Sequence, residues 1–325
     1  MHAWQFDHYG HYSENLHWVE RPVPTPGFGE ALVRTRAVSL NFPDLLIVQG
    51  MYQHKAPLPA VPGVEGVGIV EAVGPGSKFK VGDRAVGFCH GGGTLADCFL
   101  VHNHSAWTVP AYVTDEQAAA LSVTYGTSYF GLYHRAHLKP GETLLVLGAA
   151  GGVGLAAIQL GKLMGATVIA CAGDAAKLEI CRLNGADHLV NYKDEDLIER
   201  VKDITGGEGA NVIYDPVGGD FFDKVKRCVA WDGRIVIIGF AAGRIPTIET
   251  NRILLKNMAV VGLAWGQYLD RGSRLPEEAQ FLFYDMLAKR QIDPVIYRTL
   301  PFDQTKEGLR IIESREVYGK VVITR

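Results

Sequence analysis

The stretch Leu144-Leu145-Val146-Leu147-Gly148-Ala149-Ala150-Gly151-Gly152-Val153-Gly154 decides the reading of this chain. A short apolar run passes into a glycine-rich turn, and then into residues with helical spacing: Val153, Ala156, Ala157, Leu160, Leu163 and Met164. A buried strand, a tight turn and a helix packed by one face form the arrangement that seats a dinucleotide pyrophosphate at the helix start. Gly151 and Gly152 let backbone amides come close to phosphate oxygens, and Gly154 lets helix and strand approach each other. Ala149 holds the first glycine position, so the motif is A-x-G-x-x-G. Ala150, Gly151, Gly152 and Val153 are the expected cofactor contacts.

The next apolar run, Thr167-Val168-Ile169-Ala170-Cys171-Ala172-Gly173, ends about 20 residues downstream, the spacing of a Rossmann unit. A nucleotide without a 2′-phosphate calls for an acidic side chain at that strand end, to hold the ribose hydroxyls. Here the end is Cys171-Ala172-Gly173, and the first acid is Asp174, inside the turn. Lys177 follows in the next helix, and Tyr192 comes after the third strand. A small neutral strand end beside a cation favours a phosphate, so NADPH is expected over NADH, with Gly173, Lys177 and Tyr192 around it. Asp174 as a helix N-cap and Lys177 as a solvated helix charge are the alternative.

The totals bound the class. The chain has 325 residues, which suggests about two domains with ample core. Its 47% hydrophobic and 21% charged residues are those of a soluble globular protein. A net charge of −3 gives no electrostatic reason to expect nucleic acid or an anionic membrane as a partner. No apolar run reaches membrane-spanning length, and Met1–Asp7 lacks the basic and apolar regions of a signal peptide. The cysteines (Cys89, Cys98, Cys171, Cys181 and Cys228) are scattered without a C-x-x-C, which points to a reducing cytoplasm.

From Gly141 to about Ile292 strands and helices alternate. The expected strands are Thr143–Leu147, Thr167–Ala172, His188–Asn191, Asn211–Asp215, Arg234–Gly239 and Ala259–Ala264. The helices between them are Gly152–Met164, Ala175–Asn184, Glu195–Thr205 and Asp220–Cys228. This order implies an α/β doubly wound parallel sheet. Before about residue 122, short alternating runs such as Ala31–Val38 sit between Pro- and Gly-rich turns, as in an antiparallel β domain. Val295–Tyr297 and Lys320–Thr324 read as strands again, around a helix at Phe302–Ser314. Residues 1–122 plus 293–325 are therefore expected to form one domain and residues 123–292 the inserted nucleotide domain, with a cleft between the lobes.

The chain resembles the medium-chain dehydrogenase/reductase superfamily, in its zinc-free quinone oxidoreductase branch that includes zeta-crystallin. The residues that carry the resemblance are Val61-Pro62-Gly63-Val64-Glu65-Gly66-Val67-Gly68-Ile69-Val70, Val73-Gly74-Pro75-Gly76 and Val81-Gly82-Asp83-Arg84-Ala85-Val86. Asn41-Phe42-Pro43-Asp44, Ala149–Gly154 and Gly319-Lys320-Val321-Val322 complete the set. The resemblance implies a GroES-like antiparallel β domain into which the Rossmann domain is inserted, and often a dimer. The metal-dependent members hold zinc with Cys and His. Here Asn41 stands near the position of a ligand cysteine, and Val64 takes the place of histidine before Glu65. Cys98, His102 and His104 share one parity on a strand but have no fourth partner, so no metal is expected.

Without a metal, quinones and α,β-unsaturated carbonyls are the acceptors expected, because they spread negative charge onto distant oxygens and need hydrogen-bond donors only. Asn41 and Tyr52 are the candidate catalytic donors. Asn41 is otherwise a turn residue, and Tyr52 otherwise a half-buried aromatic. Asp44 serves either the nicotinamide ribose or the cap of the following Leu45–Gln49 segment. The resemblance further implies cofactor contacts at Thr127, at Phe240, Ala241 and Gly243 after the fifth strand, at Leu263 and Trp265 after the sixth, and at Arg315. Leu263 and Trp265 suit core or interface equally, and Arg315 a surface position.

The uncharged run Met258–Trp265 would leave an apolar sheet edge exposed, so a homodimer pairing this strand is expected. The reading is an NADPH-dependent quinone oxidoreductase or enone reductase. The alternatives are an enoyl- or acryloyl-coenzyme A reductase, for which Arg244, Arg252 and Lys256 would have to converge, and a non-catalytic NADPH-binding protein.

Overall fold

The computed structural model describes residues 1–53 and 55–325. Contacts divide the chain into two compact units, Met1–Val123 with Gly266–Arg325, and Thr124–Trp265.

The second unit carries the parallel sheet. Its six strands lie in the spatial order His188–Asn191, Thr167–Ala172, Thr143–Leu147, Ala210–Asp215, Val229–Ile237 and Ala259–Gly262. All neighbours are parallel. The order steps outward from Thr143–Leu147 in one direction and then in the other, which is the doubly wound arrangement. Strands covered on both faces read as unbroken apolar runs, and Leu144, Leu145, Val146 and Leu147 are each 0% exposed. The last strand is shorter than the sequence suggests and ends at Gly262. The run on either side of it turns inward, with Met258 and Trp265 buried.

The first unit is built on an antiparallel sheet. Strand Glu30–Leu40 lies at its centre, pairing with Glu65–Val73, Cys98–His102 and Lys320–Thr324. Strand Ile296–Pro301 adds to the last of these in parallel, so the end of the chain completes the sheet begun near its start. One segment departs from expectation. Helix Leu275–Ala288 belongs to this first unit, not to the nucleotide unit where the alternating pattern had put it. The reason lies in its partners. Ser122 Oγ meets Gln280 Oε1 at 3.2 Å, Tyr112 donates to the Tyr284 carbonyl at 3.2 Å, and Lys78 reaches Glu277 at 3.1 Å.

Among the described residues no helix is long and apolar enough to cross a membrane.

Candidate active site

The candidate nucleotide contacts of the glycine turn lie within the second unit. The turn after Thr143–Leu147 is made by Gly148, which adopts a left-handed φ of 55°. Gly148 thus takes the tight-turn role that the sequence reading left to Ala149. A β-carbon on Gly154 would stand 2.5 Å from the Gly148 carbonyl oxygen and 2.6 Å from that of Ala149, so only glycine fits there. Helix Gly152–Leu163 then begins with no side-chain cap, its N-cap being Gly151. First-turn amides of a helix have no intrahelical acceptor, so those of Gly152 and Val153 remain suited to an anion, while the Gly151 amide donates to the Gly148 carbonyl at 2.9 Å. Ser128 Oγ donates to the Val153 carbonyl at 2.8 Å and lies 2.9 Å from the Tyr214 hydroxyl, fixing this helix start from the side.

At the end of Thr167–Ala172, the hydroxyl of Tyr192 closes over Gly173, and the Tyr192 ring packs edge-on against Phe221. Asp174 caps the next helix by accepting from the Lys177 amide at 2.9 Å. The acid is therefore a cap, the alternative considered for it. Lys177 Nζ lies 3.9 Å from Asp174 Oδ2, a long contact between partly exposed groups. Gly173, Lys177 and Tyr192 are thus gathered at one strand end.

The loop after Val229–Ile237 folds onto the loop after Ala210–Asp215. Ala241 donates its amide to the Pro216 carbonyl at 3.1 Å, Phe240 packs beside Gly218, and Gly243 turns at φ 88°. Asp215 organises the crossing. Its Oδ1 accepts from the amides of Val217 and Gly218 at 2.8 Å each, and its carbonyl accepts from Ile238. Burial lifts the Asp215 carboxyl above the usual carboxylate range. Thr127 is partly exposed on its helix. Trp265 packs against Gly126 and Phe130 and is 8% exposed, so it forms core; Leu263 is partly buried close to Gly131.

The first unit holds the other candidates, and they form a buried polar cluster. Asn41 precedes the short helix Phe42–Val48, and Asp44 in its first turn accepts from the Asn41 amide at 2.7 Å and the Gly63 amide at 3.1 Å. Asn41 Nδ2 donates to the Ser39 carbonyl at 3.0 Å and to Glu65 Oε1 at 2.9 Å. Both of its side-chain N–H groups are therefore committed, and the donor role expected of Asn41 has no hydrogen left to serve it. Lys320 closes the cluster. Its ammonium donates to Asn41 Oδ1 at 2.5 Å, to the Leu40 carbonyl at 2.9 Å and to Glu65 Oε1 at 3.2 Å. Glu65 Oε2 accepts from the Val123 amide at 2.9 Å.

Glu65 and Asp44 are 0% exposed and Lys320 5%. Burial pushes the Asp44 carboxyl up to about 7, against the opposing pull of the Asn41 amide and the Lys320 charge. Tyr52 is half-buried just after this helix, its amide donating to the Leu46 carbonyl at 3.2 Å. Burial, with the nearby Asp44, raises its phenol above the ordinary range. Arg315 is exposed at the end of helix Thr305–Glu313, in a left-handed conformation with φ 58°.

Residues 27–111 match the alcohol dehydrogenase GroES-like domain, and residues 152–283 match the zinc-binding dehydrogenase description. The quinone oxidoreductase-like protein 2 homolog of Nematostella vectensis is 39% identical over 310 residues, covering 94% of this chain and 85% of that protein. The chain belongs to the quinone oxidoreductase family.

Solved structures of this family superpose over the whole chain. Escherichia coli quinone oxidoreductase, determined as a complex with NADPH, is 31% identical with a TM-score of 0.93, covering 100% of both chains. The quinone oxidoreductase of Pseudomonas syringae pv. Tomato DC3000 is 30% identical with a TM-score of 0.92, covering 100% of this chain and 99% of that one. Within the medium-chain dehydrogenase/reductase superfamily, the quinone oxidoreductase assignment accounts for the donor set found here. Zinc requires three or four N, S or O ligands. Val64 offers none, and Asn41 and Glu65 already hold the Lys320 ammonium between them. Cys98 donates to Glu71, while His102 lies tilted against His104 with centroids 4.2 Å apart. Among the described residues no group of three His, Cys, Asp or Glu is placed to hold a metal. The residues present do not fit zinc.

Sequence reasoning did not single out Ser128, Tyr214 and Asp215 in the second unit, nor Glu65 and Lys320 in the first. The two charges carried a visible signal: each is the lone ionisable residue at the start of an apolar strand, in Val61–Val70 and Lys320–Thr324.

Proposed function

We propose that this protein is an NADPH-dependent reductase that delivers hydride to quinones or α,β-unsaturated carbonyls without a metal. The observation that carries the reading is the strand end at Cys171-Ala172-Gly173, neutral and closed over by Tyr192, with Lys177 one helical turn beyond. Asp174, the first acid beyond that end, serves as the cap of the next helix. NADPH in Escherichia coli quinone oxidoreductase supports the same choice.

When bound, NADPH supplies the hydride, and the protein supplies position, a dry surrounding and hydrogen-bond donors. The turn Ala150–Val153 would seat its pyrophosphate, with the Gly152 and Val153 amides as donors, and Gly173, Lys177 and Tyr192 would meet its 2′-phosphate. Thr127, Phe240, Ala241, Gly243, Leu263 and Arg315 are proposed to complete the cofactor contacts, with Asp44 as the buried brace of its own helix. With the Asn41 amide committed, Tyr52 is the proposed donor to the acceptor oxygen. Its phenol stays protonated at neutral pH, as a donor must. The coenzyme A alternative draws less support, because Arg244 is paired with Asp220 and Asp223, and Arg252 with Glu249.

We also infer a homodimer. Strand Ala259–Gly262 forms the sheet edge, and the helix before it, Thr250–Lys256, buries no residue. Leu254 and Leu255 are 78% and 71% exposed, and Ile245 is 68% exposed. A second copy of the chain would cover both features. The five free thiols fit a cytoplasmic location.

The test is loss of NADPH absorbance with a small quinone or enone, compared with NADH. Turnover with NADPH that exceeds turnover with NADH supports the reading. Turnover only with crotonyl- or acryloyl-coenzyme A moves the protein to the alternative, and tight NADPH binding with no turnover of any of them makes it a binding protein.

A further inference from the structure

Lys320 is a charge that the reductase reading leaves unused, and it is buried, 5% exposed. Its three N–H groups meet three acceptors, the Leu40 carbonyl, Asn41 Oδ1 and Glu65 Oε1, so its hydrogen-bonding capacity is filled. Asn41 is filled in the same way by Ser39, Glu65 and Lys320. These contacts tie three separate pieces of chain together: strand Lys320–Thr324, the turn into helix Phe42–Val48, and strand Glu65–Val73. The ion pairs Arg182–Glu179, Lys289–Asp285 and Arg310–Glu307 are of a different kind, with both partners largely exposed and of small individual effect.

A buried Glu65 carboxylate cannot stand alone, because an uncompensated charge in a low-dielectric interior is strongly unfavourable. Some cation must sit against Glu65 Oε1 and Asn41 Oδ1. In a fold whose family description names zinc, that cation here is an amino-acid side chain.

We propose that the Lys320 ammonium is the resident cation of this site, standing in place of a metal, and that it is a positioning residue. It acts through Asn41, whose amide it orients, and through the Asn41–Asp44 bond onto helix Phe42–Val48 and the Tyr52 segment that follows. The activity part of this proposal rests on the reductase reading; the cation part does not.

The experiment is chemical rescue of Lys320→Ala. The variant opens a hole the size of propylamine beside Glu65, and an added primary alkylammonium ion carries the missing charge and donors. Propylammonium is expected to raise the melting temperature of Lys320→Ala saturably, while tetramethylammonium at equal ionic strength, which has no N–H, does not. Quinone turnover by Lys320→Ala is expected to fall at least tenfold and to recover with the same propylammonium dependence. Melting without cofactor reads the cation site even where no acceptor is turned over, so failure of the function and failure of the site are distinguishable.

Should Lys320→Ala not fold, the double variant Glu65→Gln/Lys320→Met, which removes both charges, is expected to fold and to show no response to propylammonium. Equal responses to propylammonium and tetramethylammonium would overturn the proposal. So would a double variant that responds to propylammonium, or stoichiometric zinc in the wild-type protein that is lost in Glu65→Gln.

Discussion

The hydroxyl oxygen of Tyr192 lies 2.5 Å from the point where a β-carbon on Gly173 would stand. Any other residue at 173 must push the phenol away from the strand end, even though the Gly173 backbone is one that other residues can adopt. Gly173→Ala is therefore expected to leave the fold intact and to raise the NADPH dissociation constant about tenfold, roughly 1.4 kcal/mol. Fluorescence titration reads it, and an unchanged affinity would remove Tyr192 from the phosphate site.

Lys177 stands in the first turn of the helix that follows Gly173, with its ammonium 3.9 Å from Asp174 Oδ2. A hydrogen bond to a charged partner contributes roughly 1.5–3 kcal/mol. Lys177→Ala should thus weaken NADPH at least tenfold and leave NADH nearly untouched. Equal losses for the two coenzymes would show that the lysine does not read the 2′-phosphate.

Asp44 makes stability depend on pH in a defined direction. Its carboxyl titrates near 7 when folded against 3.8 ordinarily, so between these values the folded state holds a proton that the unfolded chain releases. The stability this proton contributes is complete below the lower value and fades as pH climbs through the upper one. Melting curves of the wild type should accordingly lose ground to those of Asp44→Asn between pH 3.8 and about 7. Parallel profiles would mean the carboxylate stays ionised throughout.

Tyr52→Phe removes the proposed donor and keeps the ring. Loss of one donor to a developing oxyanion typically costs about 100-fold or more in rate. Turnover of a quinone at saturating NADPH should fall on that scale with little change in NADPH affinity. Wild-type rates in Tyr52→Phe would make the side chain a wall of the pocket and nothing more.

Leu254→Glu combined with Leu255→Glu places charge on two exposed side chains that nothing in the chain covers. Light scattering should report a dimeric mass for the wild type and a monomeric mass for the double variant. A monomeric wild type in dilute solution ends the case for a dimer.

The nucleotide fold was legible because its signals are local. The run Leu144–Leu147, the glycines behind it and the next strand about 20 residues on are patterns within one short window. Gly148 escaped because the fingerprint directs attention to the position after it, where alanine stands. Helix Leu275–Ala288 was assigned to the wrong unit because alternation carries no information about its partners, which lie at Lys78, Tyr112 and Ser122. The Glu65–Lys320 bond joins residues 255 positions apart, and no periodicity reports such a pairing. Asn41 shows a further limit: residue type told that an amide was present, but only geometry tells that its hydrogens are taken.

The ammonium between Asn41 and Glu65 also bears on how this chain can change over evolutionary time. Placing cysteine at 41 or histidine at 64 would add one ligand beside a positive charge that repels the ion it is meant to recruit. Removing the lysine first strands an anion in the interior. Single substitutions at 41, 64 or 320 therefore each leave a pocket ill-suited to a metal ion.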